Sequence, residues 1–158
     1  MSTYKVEKYF GHDRGYSCAF RQWGAKSDCR LLHGYSLSFT ICLSSSNLTK
    51  DNWVYDFGSF DFLKDFLKKN FDHTLLVASD DPEKDQLQQL DGNVANVIIL
   101  PKISCEMFAE MTFQFIKTYF SNNDIDVKIE YVKVAEHEGN SATSVSYTHL
   151  TLPTRLMV

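Results

Sequence analysis

Cys29-Arg30-Leu31-Leu32-His33-Gly34-Tyr35 runs straight into Ser36-Leu37-Ser38-Phe39-Thr40-Ile41-Cys42-Leu43, and the fold turns on how this stretch is read. A thiol stands four residues before an imidazole. From the imidazole onward the odd positions Tyr35, Leu37, Phe39, Ile41 and Leu43 are apolar and the even ones mostly small or polar. That alternation is the signature of a half-buried strand. With a side-chain period of two, His33 and Tyr35 share a face, so the strand aims a polar pair at a site beside its own core.

Working outward, Thr3 to Phe10 reads as a first strand, and Gly11-His12-Asp13-Arg14-Gly15 as a turn or bulge between glycines. Tyr16 to Trp23 carries aromatics and Arg21, and a polar loop, Gly24 to Asp28, leads to Cys29. On the other side, Ser44 to Asn52 is a polar hairpin loop and Trp53-Val54-Tyr55-Asp56-Phe57 a return strand ended by Gly58-Ser59. Ser59 is placed to cap a helix whose Phe60, Leu63, Phe66 or Leu67, and Phe71 follow helical spacing, finishing at Phe71-Asp72-His73-Thr74-Leu75-Leu76. Asp80 to Gly92 is a polar excursion, and Val97 to Leu100 a short buried strand halted by Pro101. A second helix shows Phe108, Met111, Thr112, Phe115, Ile116 and Tyr119 on one stripe, which is core packing. Val127 to Val134 is the last strand and leads into Ala135-Glu136-His137. Strands in antiparallel pairs with helices on one face give the α+β class.

A chain of 158 residues is one domain of ordinary size. With 44% hydrophobic and 14% aromatic residues it is globular rather than disordered. No apolar run approaches the roughly 18 residues of a membrane span, and the N-terminus lacks an apolar signal core, so no membrane partner and a cytoplasmic location are expected. A formal charge of −4, with no basic cluster longer than Lys68-Lys69, argues against nucleic acid as a partner. The four cysteines show no CxxC spacing, so neither a zinc ribbon nor a thioredoxin motif is present. The stretch from Ser144 to Val158 does not continue the pattern and is set aside from the domain, 1–143, as non-native-looking sequence.

Cys29 is either a small packed residue or a reactive thiol lying in polar sequence ahead of a strand. Asp72-His73 is either the end of a helix or a carboxylate–imidazole pair. Glu136 follows Val132 and Val134 on one strand face. It is either an ordinary strand-end acid or a bidentate acceptor for a guanidine-like N–H pair on a heterocycle. Together these residue types suit proton abstraction.

Taken in order over residues 3 to 143, the motifs resemble the 6-pyruvoyltetrahydropterin synthase and 6-carboxytetrahydropterin synthase family. Cys29 to Tyr35 is similar to its Cys-x-x-x-His-Gly-His, and Trp53 to Gly58 to its strand ending in Asp-Phe-Gly. Phe71-Asp72-His73 is similar to its Leu-Asp-His, Ser104-Cys105-Glu106 to its Thr-Ser-Glu, and Val134-Ala135-Glu136 to its final glutamate strand. The resemblance implies the tunnelling (T-fold) architecture, an antiparallel four-stranded sheet with two helices on one face. It also implies a homo-oligomer with sites between subunits. Cys29 would be the catalytic thiol, Asp72 and His73 its relay, and Glu136 the pterin anchor. The implied reaction converts 7,8-dihydroneopterin triphosphate to 6-carboxytetrahydropterin for deazaguanine (queuosine) synthesis, because the Cys-to-His spacing matches that branch. The alternatives are a related dihydropterin enzyme of altered chemistry and a metal-free binding protein. The family binds zinc through three histidines, for which this chain offers His33, Tyr35 at the third position, and His12 at the first. An alternative register puts Phe20 at the first. His137 is a possible substitute, although on a regular strand it faces away from Glu136.

Overall fold

The computed structural model describes residues 2–146. The alternating stretch becomes two strands rather than one. β3 (His33–Ser36) and β4 (Ser38–Ser45) are separated at Leu37, whose N–H bonds the Tyr16 carbonyl at 2.8 Å. This break moves the chain from one sheet to another. β4 pairs antiparallel with β1 (Tyr4–Phe10) and with β7 (Lys128–His137), and β7 with β8 (Asn140–Val145), giving an antiparallel four-stranded sheet of order β1-β4-β7-β8. Phe39, Ile41, Leu43, Val132 and Val134 of its central strands are buried, as the period-two pattern requires.

The helices α1 (Asp61–Phe71) and α3 (Cys105–Asn122) cover this sheet. Ser104 caps α3 by accepting the Met107 N–H at 3.1 Å. Phe108, Thr112 and Ile116 of its stripe are fully buried, while Phe115 and Tyr119 stack on α1 through Phe66 (4.1 Å) and Phe62 (3.7 Å). Phe71 joins helix to sheet, with its ring 5.0 Å from Phe39 and 5.3 Å from Phe108. Truncating a phenylalanine so enclosed costs about 3–5 kcal/mol. No helix among the described residues is long and apolar enough to cross a membrane.

Several expectations are corrected. Not all strands pair antiparallel. β2 (Ser17–Phe20) is antiparallel to β3 but parallel to β5 (Thr74–Ala78), and β5 is parallel to β6 (Val97–Leu100), making a second sheet of order β3-β2-β5-β6. The parallel β5–β6 pair needs a crossover, supplied by the polar excursion with its short helix α2 (Lys84–Gln88). Trp53 to Phe57 is not a strand: Asp56 accepts the Gly58 N–H at 2.8 Å and folds the segment into a turn. Ser59 caps nothing, since α1 begins after Phe60 with no side-chain cap. Ser144 and Val145, set aside with the tail, pair with Val132 and Tyr131 in β8; residues 147–158 lie outside the described residues.

Candidate functional site

Where β3 begins, α3 begins and β7 ends, the chain leaves a cleft of about 300 Å³. Cys29, His33, Tyr35, Cys105 and Glu136 all line it. Each is delivered by a local feature. A 3-10 turn over Asp28–Arg30, capped by Ser27, presents Cys29, which is exposed. The turn is tied back by the Gln22 N–H to the Cys29 carbonyl (2.8 Å) and by Arg21 Nη1 to the Arg30 carbonyl (3.2 Å). Arg21 is itself held by a bidentate pair with Asp81, at 2.9 and 2.6 Å. Asp81 is only 2% exposed at its side chain, and the Arg21 hydrogen bond holds its carboxyl below the usual carboxylate range.

His33 and Tyr35 share a face of β3 as the alternation requires, their rings 5.3 Å apart. Gly34 between them lets β3 lie close on β2: a Cβ there would stand 3.1 Å from the Cys18 carbonyl oxygen. His33 Nδ1 donates to the Leu31 carbonyl at 2.7 Å, leaving Nε2 with the free lone pair. The Tyr35 hydroxyl makes no hydrogen bond among the described residues. Burial first, then the Glu136, Cys29 and Cys105 charges, raise its pKa, which places the phenol among those groups and keeps it protonated.

Glu136 sits at an irregularity in β7, where the pairing with β8 skips it between Ala135 and His137. A bulge turns successive side chains toward one side. This alters the regular-strand expectation for His137, whose ring lies 6.2 Å from that of Tyr35. Asn140 Nδ2 donates to Glu136 Oε1 at 3.2 Å, steadying the carboxylate at the rim. Cys105, at the first turn of α3, has a pKa pushed up to about 12 by burial and then by Glu136 and Glu106. Local sequence gave no signal for this second thiol beyond its place after the helix cap.

Three sequence candidates lie elsewhere. Asp72 and His73 form a pair in which His73 Nδ1 donates to Asp72 Oδ1 at 2.5 Å, leaving Nε2 to solvent. His73 adopts a left-handed backbone (φ 58), which costs about 1 kcal/mol in a non-glycine residue, and its N–H bonds the Ser17 carbonyl at 2.7 Å. The pair therefore stands at the Ser17 end of β2, whereas His33 faces Phe20 at the other, three residues or about 10 Å along the strand. Within one chain the pair does not line the Cys29 cleft. His12 is likewise at the far end of β3, its Nδ1 donating to the Ser36 carbonyl at 2.5 Å.

The residue that joins His33 and Tyr35 is Phe20. It pairs with His33 across the β2–β3 ladder, and its ring lies 5.6 Å from His33 and 5.9 Å from Tyr35. The set at this point is thus phenyl, imidazole and neutral phenol, with one good zinc donor. Among the described residues no group of three or more His, Cys, Asp or Glu side chains is placed to hold a metal ion. The donor chemistry does not fit the zinc that the three-histidine pattern implies.

A profile of the family described as 6-pyruvoyl tetrahydropterin synthase matches residues 11–146. The 6-carboxy-5,6,7,8-tetrahydropterin synthase of Rickettsia felis is 34% identical over 64 residues, 40% of this chain and 46% of that protein. The Rickettsia typhi protein of the same name is 36% identical over 61 residues, 38% and 44% of the two chains. The match thus spans under half the length of these curated relatives. Among solved structures, an uncharacterized protein from Wolinella succinogenes superposes with TM-score 0.78 at 17% identity, covering 93% of this chain and 100% of that one. The 6-pyruvoyl tetrahydropterin synthase of Plasmodium falciparum does so with TM-score 0.58 at 19% identity, over 94% and 100%. That of Caenorhabditis elegans gives 0.56 at 16%, over 92% and 96%. These likenesses show the fold, the α+β T-fold architecture.

Proposed function

Because the chain belongs to the 6-pyruvoyl tetrahydropterin synthase family, we propose that it binds a dihydropterin in the Cys29 cleft and acts on it as a 6-carboxytetrahydropterin synthase. The substrate is 7,8-dihydroneopterin triphosphate, and the product is the one deazaguanine (queuosine) synthesis uses. The observation that carries this reading is that Cys29 and Glu136, far apart in the sequence, line one cleft. The names of the curated relatives support it.

Glu136 accepts the amidine-like N–H edge of the pterin ring, a bidentate match that fixes the ring. Ring fixation puts the side chain beside Cys29, whose thiolate takes the proton from the hydroxyl-bearing carbon next to ring carbon 6. The C–H electron pair becomes a new C=C bond to carbon 6, and the C6=N5 pair moves to N5, which takes up a proton. No outside oxidant is needed, since the side-chain carbon is oxidised as the ring imine is reduced; triphosphate then leaves from the end of the side chain, one water is consumed, and cleavage of the C–C bond beyond the first side-chain carbon releases the other two as acetaldehyde. A base so placed contributes about 10²–10⁴-fold. The Asp72–His73 relay is delivered by a neighbouring copy in a homo-oligomer, because its distance along β2 keeps it from its own chain's cleft.

The test is turnover of 7,8-dihydroneopterin triphosphate, with carboxytetrahydropterin and acetaldehyde identified by mass. Wild type forms both, Cys29→Ala forms neither while still binding pterin, and Glu136→Gln loses affinity by about 10–100-fold. A wild-type protein that binds no pterin sinks the reading. A second reading, a dihydropterin enzyme of altered chemistry, is favoured by Phe20 and Tyr35 standing beside His33. It predicts a different product in the same assay, such as a side-chain epimer.

A further inference from the structure

The mismatch between the donor set and zinc points to what replaces it. The Tyr35 phenol lines the cleft with Cys29 and Glu136, shares the His33 face of β3, and has no hydrogen-bond acceptor among the described residues. Phe20 closes the set from behind with a ring that offers no donor, packed edge-on to Phe108 at 5.3 Å. His33 Nδ1 is already committed to the Leu31 carbonyl. One uncommitted O–H therefore faces the position where the substrate side chain must lie if Cys29 is to reach its C–H bond.

We propose that the Tyr35 hydroxyl is a catalytic residue of this site, donating a hydrogen bond to the side-chain hydroxyl oxygen of the bound dihydropterin, so that the chain works without a resident zinc ion. This rests on the pterin reading above. As the thiolate removes the C–H proton, the electron pair flows through carbon 6 to N5, and a hydrogen bond donated to the hydroxyl oxygen draws electron density from the carbon that carries it, which makes that C–H bond more acidic. The phenol gives a hydrogen bond and keeps its proton, so the atom and electron balance of the step is unchanged. His33, with Nε2 free, accepts from the neighbouring side-chain hydroxyl and fixes the side chain's rotation.

The experiment uses full-length protein washed with chelator, as wild type, Tyr35→Phe and Cys29→Ala. It measures zinc per chain, dissociation constants for 7,8-dihydroneopterin by fluorescence, and turnover of the triphosphate with and without added zinc. The expected result has four parts. Wild type holds well under one zinc per chain and turns over unchanged by chelator or by zinc. Tyr35→Phe loses about 100-fold in kcat, and its pterin affinity moves less than threefold. Because the hydroxyl has no hydrogen-bond partner among the described residues, Tyr35→Phe keeps the packing, and an unchanged melting temperature verifies that. Turnover that vanishes on chelation and returns with zinc overturns the inference and leaves the pterin reading standing, as does a Tyr35→Phe variant with wild-type kcat. Wild type that binds no pterin overturns both.

Discussion

Phe20 stands directly across the β2–β3 ladder from His33, ring centroids 5.6 Å apart, and so occupies the place from which a first histidine would meet the imidazole. This pairing favours the register that puts Phe20 at the first position, because His12 is hydrogen-bonded to Ser36 at the opposite end of β3. It also explains why the zinc expectation and the geometry part company.

The pairing yields a gain-of-metal prediction. Replacing both Phe20→His and Tyr35→His supplies three imidazoles on neighbouring positions of adjacent strands. The double variant should bind one zinc per chain, read by competition with a chromogenic chelator, while neither single variant does. Phe20 is 4% exposed, so the change costs about 2–3 kcal/mol of stability, visible as a lower melting temperature.

Thiol chemistry separates Cys29 from its three companions. Cys29 is exposed, Cys18 and Cys42 are buried, and burial pushes the Cys18 and Cys105 thiols up to about 12. Brief iodoacetamide treatment near neutral pH should add one label, at Cys29 by peptide mass, and abolish turnover in proportion. Cys29→Ala should change unfolding free energy by no more than about 0.5 kcal/mol, since the side chain is at the surface.

Asp81 makes the fold acid-sensitive in a defined sense. Its folded pKa is held below the unfolded value by Arg21, so the pair's stabilisation is present above the unfolded carboxylate range, near pH 4, and is lost as pH falls through the lower folded value. Asp81→Asn should therefore flatten the acid limb of a stability-against-pH curve and lower stability at neutral pH by about 3 kcal/mol. Arg21 also holds the Arg30 carbonyl, so the same variant should loosen the Cys29 turn and lower turnover.

The proposed sharing of sites between copies predicts complementation. Cys29→Ala and His73→Ala should each be inactive alone. Mixed and reassembled in equal amounts they should regain about a quarter of wild-type turnover, the fraction of sites receiving both intact groups. Two inactive variants that stay inactive when mixed would show that the site is not shared between copies, and a His73→Ala variant with full turnover would place the relay outside the reaction.

The legible parts of the molecule are those where one face is buried and the other wet. β1, β4, β7 and α3 announce themselves because Phe39, Ile41 and Leu43 alternate and because Phe108, Thr112 and Ile116 recur at helical spacing. β5 is hidden because Thr74 to Ala78 is buried on both faces, and a short unbroken apolar run reads as easily as the tail of a helix. Trp53 to Phe57 misleads in the other direction, its aromatic and β-branched residues suggesting a strand that the Asp56 turn forbids. β8 is a polar edge strand with little pattern to read. In the site, Cys29 and His33 meet through local spacing and Glu136 joins them through motif order. The separation of Asp72 and His73 depends on the parallel β2–β5 pairing, a long-range fact that no local stretch encodes.

The most direct measurement is a crystal structure of the protein with 7,8-dihydroneopterin bound. The account predicts the ring's N–H edge on the Glu136 carboxylate, with the side chain lying between the Cys29 Sγ and the Tyr35 hydroxyl and an oxygen of that side chain within hydrogen-bond distance of the phenol. A pterin seated away from Glu136, or a side chain directed away from both Cys29 and Tyr35, would contradict it.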